Sequence, residues 1–282
     1  MHLGDISRFS IAALAVLAAL SPDPATAAGP RIASMNVCTD QLLITLADPE
    51  QILGLSRYAR ERFESFAADD ARRFPTLSGG AEDILVLRPD IVVASLFDKR
   101  STRELLQEKG LHLVEFAVPR NLDEVKAQMR EMGEVVGHPD RASAEITRLD
   151  DAIARARQAV AAKHYRVLPL SRRGWVTGSD SLLGSLLAET GLFNAAGDLG
   201  ITFGGFASLE AIVNLKPDLI VVSEAGDRAE DDGRAFLLHP ALERFYPPSR
   251  RIIIPDRLTV CGGVMLADAL DVLVSELKRV EQ

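Results

Sequence analysis

The most reactive side chains of the sequence belong to its two cysteines, Cys38 and Cys261, of which one lies in each half of the chain. Each follows a segment that is typical of a buried strand and precedes one that is typical of a helix. In a parallel α/β sheet such positions lie at the carboxyl ends of strands, where ligands bind. We therefore expect the two thiols to face each other across a binding cleft.

The state of these thiols is open at this stage. An even pair in an exported protein invites a disulfide, but the bridge needs Cα atoms within about 7 Å and would leave little room in the cleft for a large ligand. Two free cleft-facing thiols are the preferred expectation, with a disulfide or two isolated buried thiols as alternatives. A two-lobe enzyme with a cysteine nucleophile is a further alternative, although neither cysteine has a His or Lys nearby in sequence to lower its pKa.

Loops that are predicted to follow strands are rich in aromatic, cationic and amide side chains. Together with the cysteines they give the candidate ligand-binding residues Asn36, Cys38, Tyr58, Arg60, Phe97, Arg172, Trp175, Arg257 and Cys261. Trp175, the single tryptophan, lies in a polar loop predicted for residues 171–179. In a chain with a formal net charge of −8, the arginines indicate a locally positive cleft for a large ligand with carboxylate, phosphate or amide edges.

Other classes of function receive little support from the sequence. The two Gly-Gly pairs lack the further residues that phosphate-binding loops require. The five histidines are scattered, so no metal cage is predicted, and a bare metal-ion receptor remains only an alternative. The acidic balance argues against nucleic acid as a partner. We predict no cofactor, no metal site and no catalytic residue, and hence no enzyme.

A duplicated segment indicates how these residues are positioned. Residues 75–95 read PTLSGGAEDILVLRPDIVVAS, and residues 203–223 read FGGFASLEAIVNLKPDLIVVS. A constant offset of 128 (210 − 82) aligns the two Pro-Asp pairs and places Glu82 opposite Glu210. Each copy is typical of a short helix, a turn and a buried strand. The sequence therefore predicts two similar α/β lobes with mainly parallel sheets.

One long helix is predicted between the copies, at residues 139–163. Its apolar stripe consists of Ala142, Ile146, Leu149, Ile153, Ala156 and Val160. By contrast, the apolar side chains of residues 56–73 show neither helical nor strand spacing, so we expect a long loop or irregular turns. Such segments in a compact domain more often have a function than not. The predicted division is a leader at 1–28, an N-terminal lobe at 29–137, an interlobe helix at 138–164 and a C-terminal lobe at 165–282.

The first residues have the pattern of an export signal. Arg8 precedes an apolar run at residues 11–20, and small residues follow at 25–28. The run is too short to span a bilayer comfortably. No cysteine lies near the cleavage region, so a lipid anchor is not expected. We predict a cleaved leader and a periplasmic mature protein.

Taken together, the duplicated glutamate-helix motif and the single long helix resemble the class III substrate-binding proteins of ABC importers, the receptors for cobalamin, siderophores and heme. The resemblance implies two Rossmann-like lobes joined by that helix. It also implies that Glu82 and Glu210 dock onto arginines of a dimeric membrane permease. Trp175 corresponds to a ligand-stacking aromatic of cobalamin binders, whereas the loop at residues 256–263 lacks their further aromatics.

The predicted function is therefore a periplasmic receptor for a metal-chelate nutrient, a ferric siderophore or a cobalamin-like corrinoid. The protein would bind this chelate between its lobes and deliver it to an ABC permease. We expect it to act as a monomer.

Overall fold

The computed structural model describes residues 29–161, 163–223 and 236–282. The predicted leader at 1–28 lies outside these residues. The first lobe is built on five parallel strands in the order β3-β2-β1-β4-β5. These strands are β1 (Ile32–Ser34), β2 (Ile52–Ser56), β3 (Thr76–Leu77), β4 (Ile91–Ser95) and β5 (His112–Phe116).

Helices cover both faces of this first sheet. They are α1 (Val37–Leu46), α2 (Ala81–Leu87), α3 (Arg100–Glu108) and α4 (Leu122–Val136). Alternate strand residues enter different cores: Ile32 and Val93 pack on the side of α1 and α4, whereas Ala33 and Val92 pack on the side of α2 and α3. This arrangement matches the continuous apolar strands expected when a parallel sheet is buried on both faces.

The second lobe contains a four-stranded parallel sheet in the order β11-β10-β6-β8. Its strands are β6 (Arg166–Pro169), β8 (Phe193–Asn194), β10 (Leu219–Val222) and β11 (Arg251–Ile253). A separate antiparallel pair joins β7 (Trp175–Thr177) to β9 (Gly204–Phe206). The prediction of a polar loop at 171–179 is therefore wrong for Trp175–Thr177, which form a strand paired to a distant segment.

The remaining α-helices of the described residues are α5 (Pro139–Val160), α6 (Leu182–Thr190), α7 (Leu209–Leu215), α8 (Pro240–Phe245) and α9 (Leu266–Val280). Together with the two parallel sheets, α5 confirms the predicted class: two α/β lobes joined by one long helix. No helix among the described residues is both long and apolar enough to cross a membrane.

The duplicated motif has the same structural role in both lobes. The carboxylate of Asp90 accepts a hydrogen bond from the backbone of Arg31 at 2.7 Å, and the Arg31 side chain caps the last carbonyl of α2. In the second lobe, Asp218 accepts from the backbone of Arg166 at 2.8 Å, and that arginine reaches the last carbonyl of α7. The repeated aspartate thus fixes where each lobe's first strand begins relative to the short helix of its motif copy.

Helix α5 carries the interlobe core. Every residue of the predicted stripe is buried, as is Ala152. The helix packs on α4 from the first lobe and on α9 from the second. The core around it is continuous through both lobes, and it contains Leu42 of the first and Val167 and Leu270 of the second. Burial of an apolar side chain contributes about 1.5–3 kcal/mol, so this stripe holds the lobes together firmly.

Ion pairs along α5 reinforce its contacts with both lobes. Near its amino end, Arg141 binds Asp48 at 2.6 Å, and His138 binds the same carboxylate at 2.9 Å. Further along, Arg148 reaches Asp268 at 3.2 Å. These groups are partly exposed, so water screens their interactions and each contributes little to stability.

A covalent bond also connects the lobes. Cys38 in the first turn of α1 and Cys261 before α9 form a disulfide, with their Cα atoms 5.3 Å apart. The preferred expectation of two free thiols is therefore wrong, and the disulfide alternative is correct. Gly262, the residue after Cys261, lets this segment pack closely against the first lobe. A Cβ at that position would lie 2.4 Å from the Pro119 side chain and 2.8 Å from that of Val125.

We predict that reducing this bond destabilises the protein. It joins residues separated by 223 positions. Reduction frees the unfolded chain from this constraint, and the resulting gain in its entropy should lower the free energy of unfolding by up to about 5 kcal/mol. Urea denaturation with and without a phosphine reductant measures the effect. The variant with both Cys38→Ser and Cys261→Ser is the control, and its midpoint should not respond to reductant. An unchanged wild-type midpoint after complete reduction would contradict the prediction.

Candidate ligand-binding cleft

A cavity of about 770 Å³ remains open between the lobes although the disulfide joins them. Its second-lobe wall lies at the carboxyl ends of three strands: Arg172 follows β6, Ser223 follows β10, and Asp256 follows β11. Strands β6 and β10 are neighbours at which the chain order reverses, the position where open α/β sheets bind ligands. The volume lies within the range of roughly 300–1,000 Å³ that is usual for ligand pockets.

Trp175 contributes an aromatic face to this cavity. Its ring packs edge-on against Phe206, with the ring centroids 5.1 Å apart. Gly204 makes room for the ring, since a Cβ at that position would lie 2.4 Å from it. The preceding turn contains two residues with left-handed backbone, Arg173 at φ 58° and Gly174 at φ 78°. The β7–β9 pair therefore holds the indole in a fixed position.

The first lobe supplies Phe63 and Glu64 to the opposite wall. Both come from the segment between β2 and β3, where short 3₁₀ turns replace regular structure. The sequence pattern singles out this segment as an irregular and functional loop, but Glu64 is not among the candidate ligand-binding residues. Its irregular turns allow it to reach the cavity.

Charges on the described cavity lining are balanced. Two guanidinium groups, from Arg172 and Arg257, are accompanied by two carboxylates, from Glu64 and Asp256. The excess of positive charge expected from the sequence is therefore not found among the described lining residues. The pKa of Asp256 is raised, chiefly because the surrounding protein removes water from the carboxylate; a hydrogen bond with Ser223 and the charge of Arg172 partly offset this.

Asn36 organises the facing edge of the first sheet rather than the cavity lining. Its side-chain oxygen accepts hydrogen bonds from the backbone of Cys38 at 3.0 Å and of Thr39 at 3.1 Å, so it caps α1. Its amide group donates to Asp98 at 2.9 Å. This bond ties the carboxyl end of β1 to the loop after β4, where the strand order of the first sheet reverses.

The other first-lobe candidates do not line the cavity. Tyr58 is exposed, and its hydroxyl accepts a hydrogen bond from Arg57 at 2.6 Å. Arg60 donates to the backbone carbonyl of Phe74 at 2.6 Å. Phe97 has 79% of its surface exposed, beside the loop that Asn36 holds.

The disulfide lies next to the cavity lining. Thr259 and Val260 line the cavity, and Cys261 follows them directly with only 2% of its surface exposed. Of the nine candidates, the structure brings Arg172, Trp175 and Arg257 together on the cavity. Asp256 and Ser223 were missed, although their positions after predicted strands could have identified them.

The two docking candidates occupy matching surface positions. Glu82 lies exposed in the first turn of α2, and Glu210 lies exposed in the first turn of α7. The helix containing Glu210 is capped by Ser208, which accepts a hydrogen bond from the backbone of Ala211 at 3.2 Å. Hydrogen bonds with its own backbone amide and with Ser208 lower the pKa of Glu210, so this group is charged at neutral pH.

A model of the family described as "Periplasmic binding protein" matches residues 32–246. The chain belongs to this family. It is accordingly a solute-binding protein of transport rather than an enzyme, and family membership implies a location outside the cytoplasm. The expectation of a class III substrate-binding protein is confirmed.

One curated relative of this periplasmic binding protein is the "Cobalamin-binding protein" of Halobacterium salinarum. It is 24% identical over 225 residues, which cover 76% of this chain and 59% of that protein. The chain thus spans about six tenths of the length of the curated relatives it matches.

Solved structures share the fold. The periplasmic heme-binding protein RhuT from Roseiflexus sp. RS-1, in its apo form, superposes with a TM-score of 0.71 at 24% identity, covering 90% of this chain and 100% of that one. A structure described as an ABC-type Fe3+-hydroxamate transport system from Saccharomonospora viridis has a TM-score of 0.67 at 19% identity, covering 88% of this chain and 93% of that one.

Behind the disulfide, this periplasmic binding protein buries an acidic residue. Asp40 in α1 is fully enclosed, and it accepts hydrogen bonds from the backbone of Ser56 at 3.0 Å and from its hydroxyl at 2.6 Å. Burial raises the pKa of Asp40 from 3.8 to about 7, although hydrogen bonds with Ser56 and Ser34 oppose the shift. The carboxylate thus links α1 to the carboxyl ends of β1 and β2.

We predict that Asp40 makes stability depend on pH. Because its pKa is raised to about 7 in the folded protein, the folded state binds more protons than the unfolded state between about pH 4 and pH 7. The contribution of Asp40 to the free energy of unfolding should therefore fall as the pH rises through this interval, by about 1.4 kcal/mol per unit, and then level off. Urea denaturation across this range measures it.

The variant Asp40→Asn should remove this contribution, because the amide does not titrate. Asp151→Asn, at an exposed position on α5, serves as the matched control and should keep the wild-type dependence. If wild type and Asp40→Asn show the same slope, Asp40 does not titrate in this interval.

Proposed function

We propose that this protein captures a metal-chelate nutrient, a ferric siderophore or a cobalamin-like corrinoid, in the cleft between its lobes and delivers it to an ABC permease. The observation that carries the proposal is the interlobe cavity, which combines the indole face of Trp175 with the guanidinium groups of Arg172 and Arg257. An aromatic face binds the flat or apolar part of a chelate. Guanidinium groups donate to its carbonyl or carboxylate edges.

The similar proteins support this choice of ligand class. Their names specify cobalamin, heme and ferric hydroxamate, and each of these is an organic chelate that encloses a metal. Among the described residues, no group of three or more His, Cys, Asp or Glu side chains is arranged to hold a bare metal ion. The pairing of both cysteines also removes the thiol that a nucleophilic enzyme would need.

The candidate ligand-binding residues form three groups in this proposal. Arg172, Trp175 and Arg257 contact the chelate directly. Asn36 and the Cys38–Cys261 disulfide hold the cleft walls in place, whereas Tyr58, Arg60 and Phe97 belong to the first-lobe rim outside the cavity. The mature protein would begin after the leader at 1–28 and act as a periplasmic monomer. Its divisions would be the lobes at 29–137 and 165–282, joined by the helix segment at 138–164.

We predict that chelate binding quenches the fluorescence of Trp175, because this residue is the single tryptophan of the chain and lies on the cavity. Titration with ferrichrome and cyanocobalamin, followed by emission and by calorimetry, tests this. Trp175→Ala should weaken binding by about tenfold or more through loss of the aromatic face.

Phe193→Ala is the matched control, since Phe193 is an exposed aromatic on β8 outside the cavity; it should bind as wild type does. Native mass spectrometry of protein purified from its own periplasm identifies the natural chelate. Calorimetric binding without any change in Trp175 emission would argue against the cleft as the binding site.

Delivery to the permease is proposed to depend on Glu82 and Glu210. Both lie exposed at the first turn of a short helix, one on each lobe. The repeated contacts that position α2 and α7 give the two lobes equivalent surfaces. Such a pair of carboxylates is suited to a permease dimer that presents basic groups twice.

We predict that the double variant Glu82→Ala and Glu210→Ala retains ligand affinity but loses uptake into cells. Each exposed charge pair contributes at most about 1 kcal/mol, so single substitutions should have mild effects. The control exchanges two exposed glutamates elsewhere, Glu108 and Glu134, for alanine and should transport normally. Normal uptake by the Glu82/Glu210 double variant would exclude the docking role.

A further inference from the structure

One turn of α1 holds the part of the first lobe that faces the ligand cavity. The wall segment, residues 57–66, contains Phe63 and Glu64, which line the cavity. Directly before this segment, the backbone and the hydroxyl of Ser56 donate hydrogen bonds to the buried carboxyl group of Asp40 at 3.0 and 2.6 Å. The amino end of the wall segment is therefore anchored to α1.

The next residue of α1, Gln41, anchors the other end of the wall segment. Its side-chain oxygen accepts a hydrogen bond from the backbone amide of Phe66 at 2.9 Å, and Phe66 also packs against the interlobe core. Phe66 lies only three positions after Phe63. The two anchors thus come from consecutive residues of one helical turn, and the cavity residues lie between them.

Between these anchors, the backbone of the wall segment forms short-range turns. The amides of Glu64 and Ser65 both donate to the carbonyl of Glu61, at 2.9 and 2.8 Å. Such turns fix the local shape of a segment but not its position relative to the sheet. The position of Phe63 on the cavity therefore depends on how the two ends of the segment are anchored.

Burial of Gln41 has a cost that packing alone does not explain. The side chain is fully enclosed, and the next two residues, Leu42 and Leu43, belong to the apolar core. The Nε2 atom of Gln41 is buried without a hydrogen-bond partner among the described residues. Such a half-satisfied amide is less favourable in a core than an apolar side chain of the same size. The bond with Phe66 is therefore the better explanation for a glutamine at this position.

We infer that Gln41 is a positioning residue for ligand binding, because it holds the wall segment where Phe63 meets a ligand in the cleft. This inference rests on the proposed function. The first turn of α1 also carries Cys38, whose disulfide holds the end of the cavity-lining loop before Cys261 on the second lobe. Both walls are thus fixed to one end of α1, and loss of the Gln41 anchor should move the first wall against the second.

The variant Gln41→Met tests this role, since methionine fills a similar space but offers no oxygen to the Phe66 amide. Calorimetry with ferrichrome and with cyanocobalamin should show about tenfold weaker binding of whichever chelate the wild type binds. The urea midpoint should change little, because removal of a buried amide group offsets the lost hydrogen bond. Gln41→Glu keeps an acceptor oxygen and should bind within about threefold of the wild type.

Gln51→Met is the matched control. Gln51 is also buried, and its side-chain amide also bonds to backbone groups, those of Asp48 and Val136. It lies directly before the amino end of β2, whereas the wall segment follows the carboxyl end of that strand. The control should therefore keep the wild-type affinity for the chelate, whatever its stability.

Two measurements on the ligand-free protein test the anchor itself. The amide of Phe66 should exchange its hydrogen slowly in the wild type, which needs no variant, and faster in Gln41→Met. A para-fluorophenylalanine incorporated in place of Phe63 should give one fluorine resonance. This resonance should shift or split in Gln41→Met but not in Gln51→Met.

Equal chelate affinities of the wild type and Gln41→Met would overturn the inference and leave the proposed function intact. An unchanged fluorine resonance in Gln41→Met, or fast exchange of the Phe66 amide in the wild type, would also overturn it. If the wild type binds neither chelate, the proposed function fails, and the two measurements on the ligand-free protein still decide whether Gln41 positions the wall.

Discussion

The apolar stripe of α5 is the interaction on which the rest of this structure depends. Its residues are buried by α4 on one side and α9 on the other, so the two lobes share one continuous core. A lobe cannot rotate far about this helix without exposing part of that core to water. The cleft therefore has a nearly fixed width before any ligand arrives, as expected for a preorganised binding site.

Much of this architecture could be predicted because it follows from local patterns. The stripe of α5 recurs at helical spacing, and every predicted member is buried. The two copies of the duplicated motif form the same helix and strand in each lobe, since the Pro-Asp turn and the continuous apolar strand are local signals. The start of α4 at Leu122 also rests on a local interaction, because the Asn121 side chain accepts a hydrogen bond from the backbone of Glu124.

Features that depend on distant segments could not be derived in this way. The strand at Trp175 forms by pairing with Gly204–Phe206, and three residues containing two glycines carry no strand signal of their own. The bond between the cysteines depends on a distance across two lobes. Arg60 is a predicted ligand-binding residue, but its guanidinium group donates a hydrogen bond to a backbone carbonyl. Glu64 lines the cavity because irregular turns place it there, and the spacing of apolar residues does not predict such turns.

The disulfide has a topological consequence for the whole molecule. By joining Cys38 to Cys261, which are 223 positions apart in the sequence, it closes the intervening polypeptide into a covalent ring. A protease that cuts any single peptide bond inside this ring produces no separate fragment, because both new ends remain attached through the bridge. In an oxidising compartment that contains proteases, a nicked chain of this kind stays one molecule and keeps both walls of its cleft together.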